Sequence, residues 1–348
     1  MKNNGITIAK GIVMLLVVIN HSCAPDVIPN WTHLFNMPLF FILSGYCFKE
    51  KYLDDVRTYT KRRITGLYVP YVKWCLLFLL LHNVFCMIHL YGPEYGIQGI
   101  TAYPYSLTEM ARRAGGIMAF LIANEELLGG YWFLHELFWG SFLFFFLMRA
   151  TRNVYAVMGI TLCATLLMSY FDVRLSYFIA SRTAFSAFFI ALGCAYRKSN
   201  IEVHKRWAFI LPAMATTAIT STFFTTTMPE CTTMQVFPYA LLGLLGTLML
   251  LGLGEKIATL TGSIRNFLIY TGEHTLEILT WHMLCFKLVT FIFILCFSLP
   301  IARLESYPVI GAYAKEGWFI LYVIVGAGIP LMGCYLLEKF KARTKSIC

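Results

Sequence analysis

Residues 234–253 read MQVFPYALLGLLGTLMLLGL. Twenty mostly apolar residues in a row match the ~20 that an α-helix needs to cross the hydrocarbon core of a bilayer. A segment in lipid must satisfy its own backbone groups, so such a run reads as a helix. Working outward, similar runs recur near 6–22, 34–48, 68–90, 131–148, 154–170, 176–196, 207–228, 277–298 and 318–337. The first two are short, which suits tilted or buried helices. The expectation is an all-α, polytopic transmembrane bundle of about ten spans, with 1–348 forming a single integral membrane domain.

Composition agrees. The 348 residues are 58% hydrophobic and only 13% charged, against about 25% charged in ordinary soluble domains. A mean hydropathy of +0.67 points the same way. The net charge of +10 does not call for nucleic acid, because cytoplasmic loops of membrane proteins are rich in Lys and Arg. Membrane lipids are the expected surroundings. The eleven cysteines are scattered singly and none forms a CxxC pair, which is neither a disulfide framework nor a zinc site.

Placement of Lys and Arg sets the orientation. With the N-terminus in the cytoplasm, nineteen of these residues fall in inside segments, Lys2 and Lys345 among them. Outside loops carry only Arg112, Arg113, Arg174, Arg303 and Lys315, while Lys10, Lys73, Arg182 and Lys287 fall within spans. That bias implies both termini inside. The longest piece off the membrane, 92–130, is then an extracytoplasmic loop, with an amphipathic stretch near 107–122. The N-terminal run lacks a convincing cleavage site and reads as a retained first helix. No internal repeat is visible, which argues against an inverted-repeat transporter.

Ionisable residues inside spans are functional candidates because burying them is costly. His21 lies at the outer end of the first helix, eleven residues after Lys10. At ~100° per residue the two share one face, separated by ~16 Å along the axis. The plainer reading is that Lys10 snorkels and His21 is interfacial. Around Pro38, small Ser44 and Gly45 permit close helix contact. Lys61, Arg62 and Arg63 can bind phosphate oxygens, hold lipid head groups, or simply set topology. Trp132 stands beside Tyr131, and Glu136 beside His135. Arg182, His274, Glu277 and His282 complete the set. His274, Glu277 and His282 lack an obvious third ligand, so no metal site is expected. No GxSxG elbow, Walker loop or HExxH motif occurs.

These pieces, in this order, resemble the acyltransferase-3 family of membrane O-acyltransferases, nearest to its fucose 4-O-acetylase-like branch. Lys10 through Val17-Val18-Ile19-Asn20-His21-Ser22 looks like the family's first helix. Phe35 to Phe48 looks like its "FHMPLFFFISGY" second helix. Lys61-Arg62-Arg63 to Val69-Pro70-Tyr71 is similar to its basic lead into helix 3. Thr271-Gly272-Glu273-His274-Thr275-Leu276-Glu277-Ile278 to His282 looks like its late "G-x-x-S-L-x-I-Y-x-x-H" segment, and Trp132-Phe133-Leu134 adds a "WFL" match. The chain departs from the pattern at Lys10 (often Arg), Asn36 (usually His), Gly66 (often Arg) and Leu279 (usually Tyr).

The resemblance implies an acyl-CoA donor on the cytoplasmic side and a glycan or lipid-linked sugar as acceptor, with acetyl or another short acyl group transferred. It implies no bound cofactor, and a bacterial inner membrane as location. His21 becomes the expected catalytic residue, as general base in preference to an acyl-histidine; a free imidazole titrates near pH ~6.5. Lys10, Ser44, Arg62, Arg63, Trp132, Glu136, Glu277 and His282 become the expected donor- and substrate-binding residues. A sugar or lipid transporter without acyl transfer is the alternative from another class.

Overall fold

The computed structural model describes residues 3–97, 99–123, 125–176 and 179–347. Lys2, Gln98, Asn124, Tyr177, Phe178 and Cys348, which entered the charge, loop, span and cysteine readings, lie outside the described residues.

The described residues form α-helices joined by turns, short 3-10 segments and loops, with no strand among them. In chain order the helices are α1 (Asn4–His21), α2 (Val27–Thr32), α3 (Asn36–Tyr46), α4 (Val56–Arg63), α5 (Val69–Met87), α6 (Leu107–Phe120), α7 (Tyr131–Thr151), α8 (Val154–Tyr170), α9 (Ser181–Lys198), α10 (Trp207–Thr220), α11 (Val236–Ala258), α12 (Ser263–Glu273), α13 (Thr275–Cys296), α14 (Gly311–Tyr313) and α15 (Phe319–Ile347). Among the described residues, six helical stretches are long and apolar enough to cross a membrane: Asn4–His21, Val56–Met87, Tyr131–Thr151, Thr233–Ala258, Thr275–Cys296 and Gly311–Thr344. The other four expected runs appear as α3, α8, α9 and α10. Three of these have only 11, 17 and 14 residues, and α9 carries Arg182, Arg197 and Lys198.

Two differences from the sequence expectation have local causes. The run at 207–228 is helical only to Thr220. There the Ser221 hydroxyl donates to the Ala218 carbonyl (2.7 Å) and the Thr222 hydroxyl to the Ile219 carbonyl (2.8 Å), offering the backbone an alternative to further helix. The basic cluster does not precede its helix but belongs to it. Asp55 caps α4 by accepting from the Thr58 amide at 2.9 Å, and a π-turn over Ile64–Tyr68 carries the helix on into α5. The expected amphipathic stretch is α6, begun by Ser106, whose hydroxyl accepts from the Glu109 amide at 3.2 Å.

The chain divides into two compact units, each assembled from three separated stretches. Unit 1 comprises residues 1–10, 30–72 and 132–265, and unit 2 comprises 11–29, 73–131 and 266–348.

In unit 1, α9 packs against α3 and α8, while α11 packs against α3 and α10. Lipid tails are as apolar as leucine, so packing and hydrogen bonds must hold such helices together. The α3–α9 crossing achieves this through glycine. A Cβ on Gly45 would stand 1.8 Å from the Ile190 carbonyl oxygen, and one on Gly193 would stand 1.9 Å from that of Ile42. The close contact expected at Gly45 is present.

In unit 2, α13 packs on α15, on the turn Glu126–Leu128 and on the turn Ile301–Glu305. The buried Lys287 ammonium donates to the carbonyls of Leu304 (3.0 Å) and Ser306 (2.8 Å). Glu305, also buried, accepts from the amides of Glu94 (3.0 Å) and Tyr95 (3.3 Å). These contacts pin the beginning of 92–130 within the unit.

Candidate active site

Unit 2 brings together two of the imidazoles singled out in the sequence. His21 is the last residue of α1, and its ring centroid lies 5.3 Å from that of His282, tilted by 40°. His282 is 0% exposed. Its Nδ1 faces two acceptors, the carbonyls of Ile278 (2.9 Å) and Leu279 (3.0 Å). Nδ1 therefore carries the proton, and Nε2 carries a lone pair. That Nε2 is buried and has no hydrogen-bond partner. Leaving such an atom unsatisfied costs ~1–3 kcal/mol, so its presence beside a second imidazole suits a chemical role.

Groups close in sequence to the two histidines are fixed in place. The Thr280 hydroxyl donates to the Leu276 carbonyl (2.7 Å), so the Tyr131 hydroxyl, 2.7 Å away, donates to Thr280. The Ser22 hydroxyl, 0% exposed, donates to the Ile19 carbonyl at 2.7 Å. The Phe286 and His282 rings stand nearly perpendicular, their centroids 5.6 Å apart.

Glu277 does not share this surrounding. Five residues place it ~140° around α13 from His282. Its partner is His274, with Nδ1 3.8 Å from a Glu277 carboxylate oxygen.

Unit 1 gathers the cations. Arg63 donates from Nη2 to the Ser44 hydroxyl at 3.1 Å, and its guanidinium lies 5.2 Å from the Tyr59 ring centroid. Arg62 is exposed and stands 5.5 Å from the centroid of Tyr52. Tyrosine faces attract guanidinium groups at this range without using up their N–H donors. Lys10 lies on α1 within the same unit. Trp132 is half-buried, edge-on to Phe133 at 6.5 Å.

Glu136 is committed elsewhere. Its Oε2 accepts from the Thr183 hydroxyl (2.8 Å), its backbone carbonyl accepts from Ser186 (3.0 Å), and its Oε1 lies 3.9 Å from Arg182 Nε. This ties α7 to α9 and joins two residues that the sequence treated separately.

Sequence reasoning passed over a second group of buried charges in unit 2. His82 Nδ1 lies 2.9 Å from Glu125 Oε2, its Nε2 lies 3.0 Å from the Tyr103 carbonyl, and its ring stacks on Tyr105 at 3.5 Å. Glu126 accepts from the Thr101 hydroxyl (3.0 Å), and burial pushes its carboxyl above the ordinary range. The available signal was His82 and Lys287 standing alone inside apolar runs.

This is a membrane-type helical protein with an imidazole pair in one unit and a tyrosine-backed basic helix in the other. A family model described as an acyltransferase domain, that of the acyltransferase-3 family, matches residues 3–339. The chain belongs to that family. No curated protein sequence and no solved structure gives a match.

Proposed function

We propose that this membrane O-acyltransferase moves an acetyl or other short acyl group from acyl-CoA to a hydroxyl of a glycan or lipid-linked sugar, with His21 as general base. The observation that carries the reading is the pairing of half-buried His21 with fully buried His282, whose Nδ1 proton is held by two backbone carbonyls.

An imidazole nitrogen of His21 takes the proton from the sugar hydroxyl as the oxygen attacks the thioester carbonyl carbon. The C–S bond then breaks, and the departing CoA thiolate takes the proton from the imidazolium. His282 supports this step through its tautomer. With its single proton held by the two carbonyls, it adds no second positive charge beside His21, and its lone pair favours the imidazolium that forms. Arg62 and Arg63 hold the phosphates of the donor, since guanidinium groups form forked hydrogen bonds with phosphate oxygens. Lys10 supplies a further charge for the donor, and Trp132 an apolar face for a sugar. The likeness to the fucose 4-O-acetylase-like branch supports a carbohydrate acceptor and a bacterial inner membrane. The distribution of Lys and Arg supports ten spans with both ends inside.

The test is mass spectrometry of surface glycans from cells making the native protein or His21→Ala at equal membrane levels. Acyl mass increments present with the native protein and absent with the variant are expected. Equal acylation by both would overturn the assigned base. Glycans that never carry an acyl group dependent on the chain would overturn the acceptor.

A further inference from the structure

We propose that His274, Glu277 and Cys334 of unit 2 form a binding site for one zinc-like divalent metal ion. The inference does not rest on the acyl-transfer reading.

The three side chains arrive from places far apart in sequence. His274 is the single residue between α12 and α13, Glu277 lies in the first turn of α13, and Cys334 lies on α15. One ligand atom from each, an imidazole nitrogen, a carboxylate oxygen and the sulfur, lies within 4.8 Å of the others. Zinc bonds of ~2.0–2.3 Å in a tetrahedron need ligand atoms roughly 3.3–3.8 Å apart. The approach required is therefore about 1 Å, within reach of a side-chain rotation of the partly exposed Glu277. A thiolate, an imidazole and a carboxylate together suit zinc better than magnesium or calcium, which take oxygen ligands.

The surroundings of His274 supply the second observation. Its Nε2 lies 3.3 Å from Glu338 Oε1. Glu338 in turn accepts from the Tyr270 hydroxyl at 3.3 Å, and the Tyr270 ring lies 4.4 Å from that of His274. A metal-bound histidine characteristically donates its other N–H to a carboxylate, which fixes the tautomer and the ring. Here a proton held on Nε2 leaves the lone pair on Nδ1, the nitrogen that faces Glu277. Binding would release the Cys334 thiol proton to solvent as the metal–sulfur bond forms. Three protein ligands leave a fourth position for water. The ion would fasten the break between α12 and α13 to α15.

The test uses the full chain, purified in detergent, stripped with a chelator and titrated with Co2+. One ion per chain is expected, with a thiolate-to-cobalt absorption band in the near ultraviolet that Zn2+ displaces. Cys334→Ser should abolish the band, and Cys231→Ser should leave it intact. Glu338→Gln should keep the band but weaken affinity roughly 10- to 100-fold. His274→Ala should weaken it at least as much; Glu277→Gln, also weakened, serves if that variant does not fold. Absence of the band, or a band that survives Cys334→Ser, would overturn the site and leave His274 in plain ion pairs with Glu277 and Glu338. Metal binding is read without acyl transfer, so failure here leaves the assignment of His21 untouched.

Discussion

The cations of unit 1 and the imidazoles of unit 2 are held in opposite ways. Arg62 is exposed and leans on a tyrosine face, while Arg63 spends one N–H on Ser44. Most of their donors stay free to meet a ligand and to be rehydrated when it leaves. His282 is fully buried, with its proton committed to backbone carbonyls and its remaining nitrogen dry. The first arrangement suits reversible binding of a charged molecule. The second suits a group whose protonation state must be fixed before a reaction begins. Loss of the first should register as affinity, and loss of the second as rate.

The sharpest way to break this contrast is at His21. His21→Ala is expected to lower kcat by roughly 10²- to 10⁴-fold, the range for a general base, with the donor KM little changed. Acyl transfer by reconstituted protein measures it, and a KM effect alone would erase the distinction between the units. His282→Phe keeps an aromatic ring and removes both nitrogens. A fall in kcat of roughly 10- to 100-fold is expected, and unchanged kcat would reduce His282 to packing. Arg62→Ala with Arg63→Ala should raise the donor KM by roughly 10- to 100-fold, the equivalent of losing one charged hydrogen bond of ~1.5–3 kcal/mol. An effect on kcat with unchanged acyl-CoA affinity would move these arginines out of the binding role. The smallest effect is expected from Ser44→Ala, which costs Arg63 one neutral partner; a change of about threefold or less in KM follows from ~0.5 kcal/mol.

Hydropathy and periodicity were enough to place the six long apolar helices and α6, because each depends on its own residues. Gly45 was legible as a contact residue, though its partner Gly193, 148 positions away, was not. The same limit explains Cys334. Nothing near it in sequence marks it, and it meets His274 only because α15 packs along α13. Glu136 looked like a candidate because an acid in a span is costly, and the structure shows that cost offset by Thr183, which lies on another helix. The basic cluster looked like a loop because charges usually end a span. A π-turn instead carries the helix through it. In the candidate site, His282 was legible as a residue, but the tautomer that gives it meaning depends on how its ring turns toward the Ile278 and Leu279 carbonyls.

The glycine crossing of α3 and α9 has a mechanical consequence. Where two backbones touch with no side chain between them, neither helix can slide past the other. A slide of about one turn would bring Phe41 or Ile42 to the place of Gly45, or Phe189 or Ile190 to that of Gly193, each with a Cβ where the backbones leave no room. The joint is keyed, like a dowel in its hole. Whatever movement accompanies the entry or exit of substrate, unit 1 must carry these two helices as one rigid piece and bend elsewhere.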